Sequence, residues 1–178
     1  NKLEDLNGIK LRVMQNNVFL DSFKTLGTNA VPMAFTELFS ALETGTVDGQ
    51  ENPVNTILSS KFYEVQKYLT MTNHVYSPWI VTVSKKWWDQ LSKDEQKALM
   101  DAAVASRDFE RKDTREEAAA ATAQLKAKGM QVNELPPAEA ARMRSNLTRV
   151  YASIGASVGM DLWNETQAEL AKIRGAKK

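Results

Sequence analysis

From Ile9 to Gly49 the chain switches its hydrophobic period every few residues, and that alternation narrows the folds open to it. Ile9 to Val13 alternate apolar and basic residues after an Asn7-Gly8 turn, the pattern of a short strand. Phe19, Leu20, Phe23 and Leu26 then recur at helical spacing, with Gly27 as a stop. "NAVPMAF" is a second short apolar segment. "TELFSALETG" predicts a second helix that Thr36 caps, with Leu38, Phe39 and Leu42 on one face and Gly45 at its end. "TVDG" follows as a third short strand. Strand and helix in alternation favour an α/β layer architecture with a largely parallel sheet.

Further along, Val54 to Leu69 predict one or two helices, and "WIVTVS" is the clearest strand, with β-branched residues from Ile80 to Val83. A long helix is expected from Ser92 to Lys128, opened by "SKDE", in which Ser92 and Glu95 form a capping box. At 1.5 Å per residue it reaches ~50 Å, more than a small domain needs, so it either kinks or bridges two lobes. "GMQVNELPP" reads as a stop, a short strand and a turn. Two more helices are expected, Ala138 to Ala152 and Val158 to Ile173.

Composition removes several function classes. The 178 residues carry 23 Lys plus Arg against 22 Asp plus Glu, a balance that gives no reason to expect nucleic acid or an anionic membrane as partner. Without cysteine there is no disulfide, thiolate metal site or Cys nucleophile, and the lone His74 rules out a multi-histidine metal centre. No cofactor or metal is expected. No apolar run approaches the ~20 residues of a membrane span.

Arg12, in "KLRV", shares a strand face with Lys10, opposite Leu11 and Val13. Charged residues are mostly solvated, which makes an exposed strand-edge cation the plain reading. The sharper one is a guanidinium at the mouth of an open α/β sheet, where ligands bind beyond the carboxyl ends of the strands and where a planar fork grips a carboxylate through two hydrogen bonds. That rule gathers Arg12, Gln15, Phe35, Gln50, Glu51 and Asn52 in one mouth. "VDGQENP" is explained in part as a turn with Asn52 as helix cap before Pro53, but this leaves Gln50 and Glu51 without a role. Glu51 or Asp48 as a general base with His74 is the enzymatic reading. No nucleophile elbow, phosphate loop or metal-ligand spacing accompanies it. Of the four tryptophans, suited mainly to core or lobe-interface packing, Trp79 beside Pro78 is the one best placed to reach a cleft.

"GIKLRVMQN", "PMAFTELFSALETGTVDGQENP", "KFYEVQKYLTMTNHVYSPW" and "VSKKWWDQLSKDEQKALMDAA" together closely resemble the solute-binding proteins of tripartite ATP-independent periplasmic (TRAP) transporters, the DctP-type family, from Asp5 onward. The resemblance implies a periplasmic-binding-protein-like fold of two α/β lobes joined by strands and a long helix, closing on a small organic acid that is handed to a membrane permease. It implies no catalytic residue, a periplasmic location and a monomer. The arginine of the "LRV" strand, here Arg12, would take the ligand carboxylate in a two-pronged salt bridge; Asn52 of "QENP" would touch the ligand, and Phe35 of "MAF" would line the pocket. Gln15, His74 and Trp79 stand where members vary their contacts, with Gln50 and Glu51 supporting Asn52. Members are roughly twice this length, so the chain resembles their C-terminal portion. Residues 1–80 are expected to form a sheet-and-helix lobe carrying the site, and 81–178 a lobe-crossing strand, the long helix and the C-terminal helices.

Two other classes compete with a binding protein: a lyase-like enzyme acting on an organic acid with the same scaffold, and a helical interaction module built on the long helix. Turnover separates the first; ligand-independent binding lost on helix truncation identifies the second.

Overall fold

The computed structural model describes residues 2–175 and contains two parallel sheets. The first has the order β2 (Asn29–Pro32), β1 (Lys10–Val13), β3 (Gly49–Gln50), all parallel, with Arg12 opposite Val31 on one side and Gln50 on the other. The second pairs β4 (Tyr68–Met71) with β5 (Gln131–Glu134), also parallel. Eight α-helices accompany the strands among the described residues: α1 (Asn17–Thr25), α2 (Leu38–Glu43), α3 (Val54–Ser59), α4 (Lys85–Trp88), α5 (Lys93–Ala127), α6 (Pro137–Asn146), α7 (Thr148–Val158) and α8 (Met160–Gly175).

Local chemistry sets the first βαβ unit. The Asn16 side chain accepts the Val18 N–H at 2.8 Å and so caps α1. Gly27 closes the helix at φ +100°, and a Cβ there would run into Asn7 Oδ1, so both conformation and space call for glycine. Leu11 and Val13 point to one face and pack with Phe23 of α1, Leu26 just past its end and Met143 of α6. The other core gathers Leu38, Leu42, Val47, Ile57 and Phe62 against Leu125 near the end of α5 and Met130 just past it, with Val31 and Met33 at its margin. Burying each such side chain fully contributes ~1.5–3 kcal/mol.

The capping box forms as the sequence indicates: Ser92 Oγ accepts the Glu95 N–H at 3.3 Å and Glu95 Oε2 accepts the Ser92 N–H at 2.8 Å. Helix α5 runs unbroken for 35 residues, about 50 Å. Only its C-terminal end is buried, through Ala121 and Leu125; Leu99, Met100, Val104 and Phe109 make the expected apolar stripe but lie exposed.

Four local expectations are corrected. "WIVTVS" forms no strand: residues 72–84 are irregular, with Trp79 97%, Ile80 79% and Val81 86% exposed. β-branched composition favours a strand only where a neighbour supplies the ladder, and no described strand runs beside this segment. Tyr68 and Leu69, the last residues of the stretch expected as helix, belong instead to β4 and pair with β5. Neither Thr36 nor Asn52 caps a helix, since 35–37 form a 3-10 turn ahead of α2 and Pro53 occupies the cap of α3. The two C-terminal helices are three, because the chain breaks after Asn146 and again at Gly159, where φ is +97°.

Candidate functional site

Arg12 is 4% exposed, so the solvated reading fails. It lies on the face opposite Leu11 and Val13, and its Nε–H and Nη2–H both reach the carbonyl oxygen of Met33, at 3.0 and 2.7 Å. The Phe35 ring centroid is 5.9 Å from its Cζ, within cation–π range. Burial lowers the guanidinium pKa, and the nearby negative charge of Glu51 partly offsets this. No described carboxylate comes within 4 Å to pair with it. A buried cation held by a single carbonyl keeps N–H groups of its fork for another acceptor, and a carboxylate is the acceptor that also neutralises it.

Gln50 lies opposite Arg12 in the β1–β3 register, and its Oε1 accepts the Asn52 amide at 2.6 Å. Glu51 turns elsewhere and meets His74, Oε2 to Nε2, at 3.2 Å. Thr72 Oγ1 sits 2.7 Å from His74 Nδ1, and the Phe23 ring meets the imidazole edge-on with centroids 5.4 Å apart. Four of the expected residues, Gln50, Glu51, Asn52 and His74, line one cavity of about 410 Å³. Arg12, Gln15, Phe35 and Trp79 do not line it. Phe35 is tied to the group through Arg12, whereas Gln15 and Trp79 are exposed and make no side-chain hydrogen bond among the described residues.

A second cavity of about 570 Å³ borders His74 on its other side, between α1, α6 and α7. Sequence reasoning missed Met33, Thr72 and Phe23. Their roles come from a main-chain carbonyl, a hydroxyl and a ring edge supplied across the fold, none of which has a sequence signature, although the β1–β2 alternation does bring the Met33 carbonyl beside Arg12. Among the described residues no group of three or more His, Asp or Glu is placed to hold a metal ion. The arrangement offers a cation, amides and a carboxylate–imidazole pair, which suits holding a polar anion.

Residues 1–157 match the model of bacterial extracellular solute-binding protein family 7, DctP, and the chain belongs to that family. A solute-binding protein of Verminephrobacter eiseniae is 41% identical over 173 residues, covering 97% of this chain and 49% of the relative. Among solved structures, a TRAP periplasmic solute-binding protein from Ochrobactrum anthropi, with its C-terminus in its ligand-binding pocket, superposes with a TM-score of 0.92 at 50% identity, covering 98% of this chain and 55% of that one. The sugar acid-binding protein DctPAm from Advenella mimigardefordensis, in complex with galactonate, gives a TM-score of 0.83 at 51% identity over 92% of this chain and 53% of that one. The chain thus spans about half the length of these relatives. Its open parallel sheets and long helix are those of the two-lobed TRAP binding proteins. No described helix is long and apolar enough to cross a membrane.

Proposed function

We propose that this chain is the half of a TRAP solute-binding protein that supplies the carboxylate-gripping arginine, and that the whole protein captures a small organic acid in the periplasm and passes it to its membrane permease. The single observation behind this reading is Arg12: buried on the sheet, oriented by the Met33 carbonyl and without a counter-ion among the described residues. A ligand carboxylate would complete it with two parallel hydrogen bonds in a site that excludes water.

Asn52, held by Gln50, then presents its remaining polar atoms to the ligand, and Phe35 packs on the far side of the guanidinium. Glu51 and His74 set which hydroxyl or carbonyl groups are accepted. Gln15 and Trp79 lie on exposed segments and meet the ligand only when a second lobe closes over it. In this division residues 1–80 carry the site and 81–178 the crossing segment and long helix. The protein works as a monomer and binds without turnover, so no group is asked to act as nucleophile or base.

Thermal unfolding of the full-length protein against a panel of organic acids tests this. At about 100 times the dissociation constant a ligand stabilises by ~2.7 kcal/mol, several degrees. A selective upward shift, lost in Arg12→Ala and without chemical change in the recovered acid, is expected. Consumption of the acid would indicate an enzyme instead.

A further inference from the structure

Among the described residues two that are not glycine hold a left-handed backbone, Lys61 at φ +57° and Asn73 at φ +46°. Lys61 is explained by its place. It follows Ser60, the C-cap of α3, and its N–H bonds the Leu58 carbonyl at 3.1 Å, a usual left-handed exit from a helix. Asn73 ends no helix. It stands two residues past β4, between Thr72 and His74, with an exposed side chain that makes no hydrogen bond among the described residues.

A left-handed backbone is disfavoured for every side chain but glycine, and asparagine is among those that tolerate it best. Where no helix end calls for it, it persists only when something around it holds it, most often at a functional site. At Asn73 the bend has a visible product. An extended residue there would run the Thr72 and His74 side chains parallel, their Cα atoms about 6.6 Å apart. Instead Thr72 Oγ1 lies 2.7 Å from His74 Nδ1, His74 Nε2 meets Glu51 Oε2 at 3.2 Å, and the ring stands edge-on to Phe23 of α1 with centroids 5.4 Å apart. Both ring nitrogens and one ring edge are thus engaged from three separate parts of the fold.

We propose that Asn73 is a positioning residue for the site: its left-handed backbone, and not its side chain, turns the His74 ring onto Glu51 and holds it at the cavity that Gln50 and Asn52 also line. That His74 serves a bound organic acid rests on the function proposed above; that Asn73 aims the ring does not. Substitutions at residue 73 then sort by backbone tolerance. Glycine adopts a left-handed conformation freely and keeps the ring in place, whereas a β-branched residue forces the backbone back toward extended and releases it.

NMR of the full-length protein, with no acid added, tests this. The His74 ring signals are those missing from His74→Ala. In the parent and in Asn73→Gly, nuclear Overhauser contacts between the His74 and Phe23 rings are expected at similar strength. In Asn73→Val the same contacts should be lost while the amide signals of β4 and α1 keep their positions, a combination that a general loss of stability would not produce. If Asn73→Val does not fold, Asn73→Ala takes its place with the same expectation. Contacts kept at parental strength in the valine or alanine variant, or lost in Asn73→Gly, would overturn the proposal. Because no acid is present, a failure of the proposed function, seen as no stabilisation by any acid, leaves this result standing.

Discussion

Arg12 places two N–H groups on one acceptor, the Met33 carbonyl oxygen, at 3.0 and 2.7 Å. This fixes the plane of the guanidinium from behind. The rest of the fork is directed by the β1–β2 register, which sets Arg12 against Val31 two residues before Met33. On the proposed reading, a carboxylate arriving at this fork would find it already oriented, so little side-chain entropy would be lost on binding.

The same relationship makes the amide pair beside it a supporting element. Asn52 Nδ2 donates to Gln50 Oε1 at 2.6 Å, and Gln50 is the β3 neighbour of Arg12. Gln50→Ala and Asn52→Ala should therefore each weaken acid binding, and the double variant should lose less than the sum, with a coupling of ~0.5–1.5 kcal/mol in a double-mutant cycle. Additive losses would mean the two amides act separately.

Acid should loosen the N-terminal turn from α6. Arg142 pairs with Glu4 and, at 2.8 Å, with Glu139, while Glu139 also accepts the Leu3 N–H at 2.8 Å. The Arg142 hydrogen bond is the main cause holding Glu4 below its ordinary 4.5, and for Glu139 the Leu3 N–H comes first and Arg142 second. A carboxyl with a depressed folded-state pKa adds stability that is fully present above the unfolded pKa and is lost as pH falls through the folded one. Arg142→Ala should thus lower the unfolding midpoint near pH 7, and the gap to the parent should close as pH drops below about 4.5. A gap unchanged between about pH 7 and pH 3 would contradict the pairing.

Helices α7 and α8 meet through a glycine. A Cβ on Gly155 would come within 3.0 Å of Trp163 Cγ, and the Tyr151 ring lies 6.4 Å from the same indole. Gly155→Leu should push Trp163 out and destabilise by ~1–3 kcal/mol, the usual cost of overpacking. Tryptophan emission should shift to longer wavelength. An unchanged melting curve and spectrum would show that α8 packs elsewhere.

The parts of the fold legible in the sequence are those decided by neighbours along the chain. The Asn7-Gly8 turn, the Phe19–Leu26 spacing and the Ser92–Glu95 box each carry their own cause, and β1, α1 and α5 appear where these signals put them. Tyr68 and Leu69 close the Val54–Leu69 stretch read as helix, yet the pairing of residues 68–71 with 131–134, some sixty residues away, makes them a strand. The opposite error at "WIVTVS" has the same origin: propensity without a partner strand leaves Ile80 and Val81 in solvent. In the site, alternation correctly put Arg12 on the face away from Leu11 and Val13, but its burial and the Met33 carbonyl depend on β2 lying alongside. The pairing of Glu51 with His74 was legible only as a possible acid–base couple, since its 3.2 Å contact is made across the gap between the two sheets.

The most direct test of the central claim is calorimetric titration of the full-length protein with the acid that stabilises it, comparing Arg12 with Arg12→Lys. Lysine keeps the charge but loses the planar fork and its two-pronged geometry. The account predicts at least a tenfold rise in Kd, about 1.4 kcal/mol or more, with the melting temperature of the unliganded protein within a few degrees of the parent. Affinity within twofold of the parent would contradict it and place carboxylate recognition elsewhere.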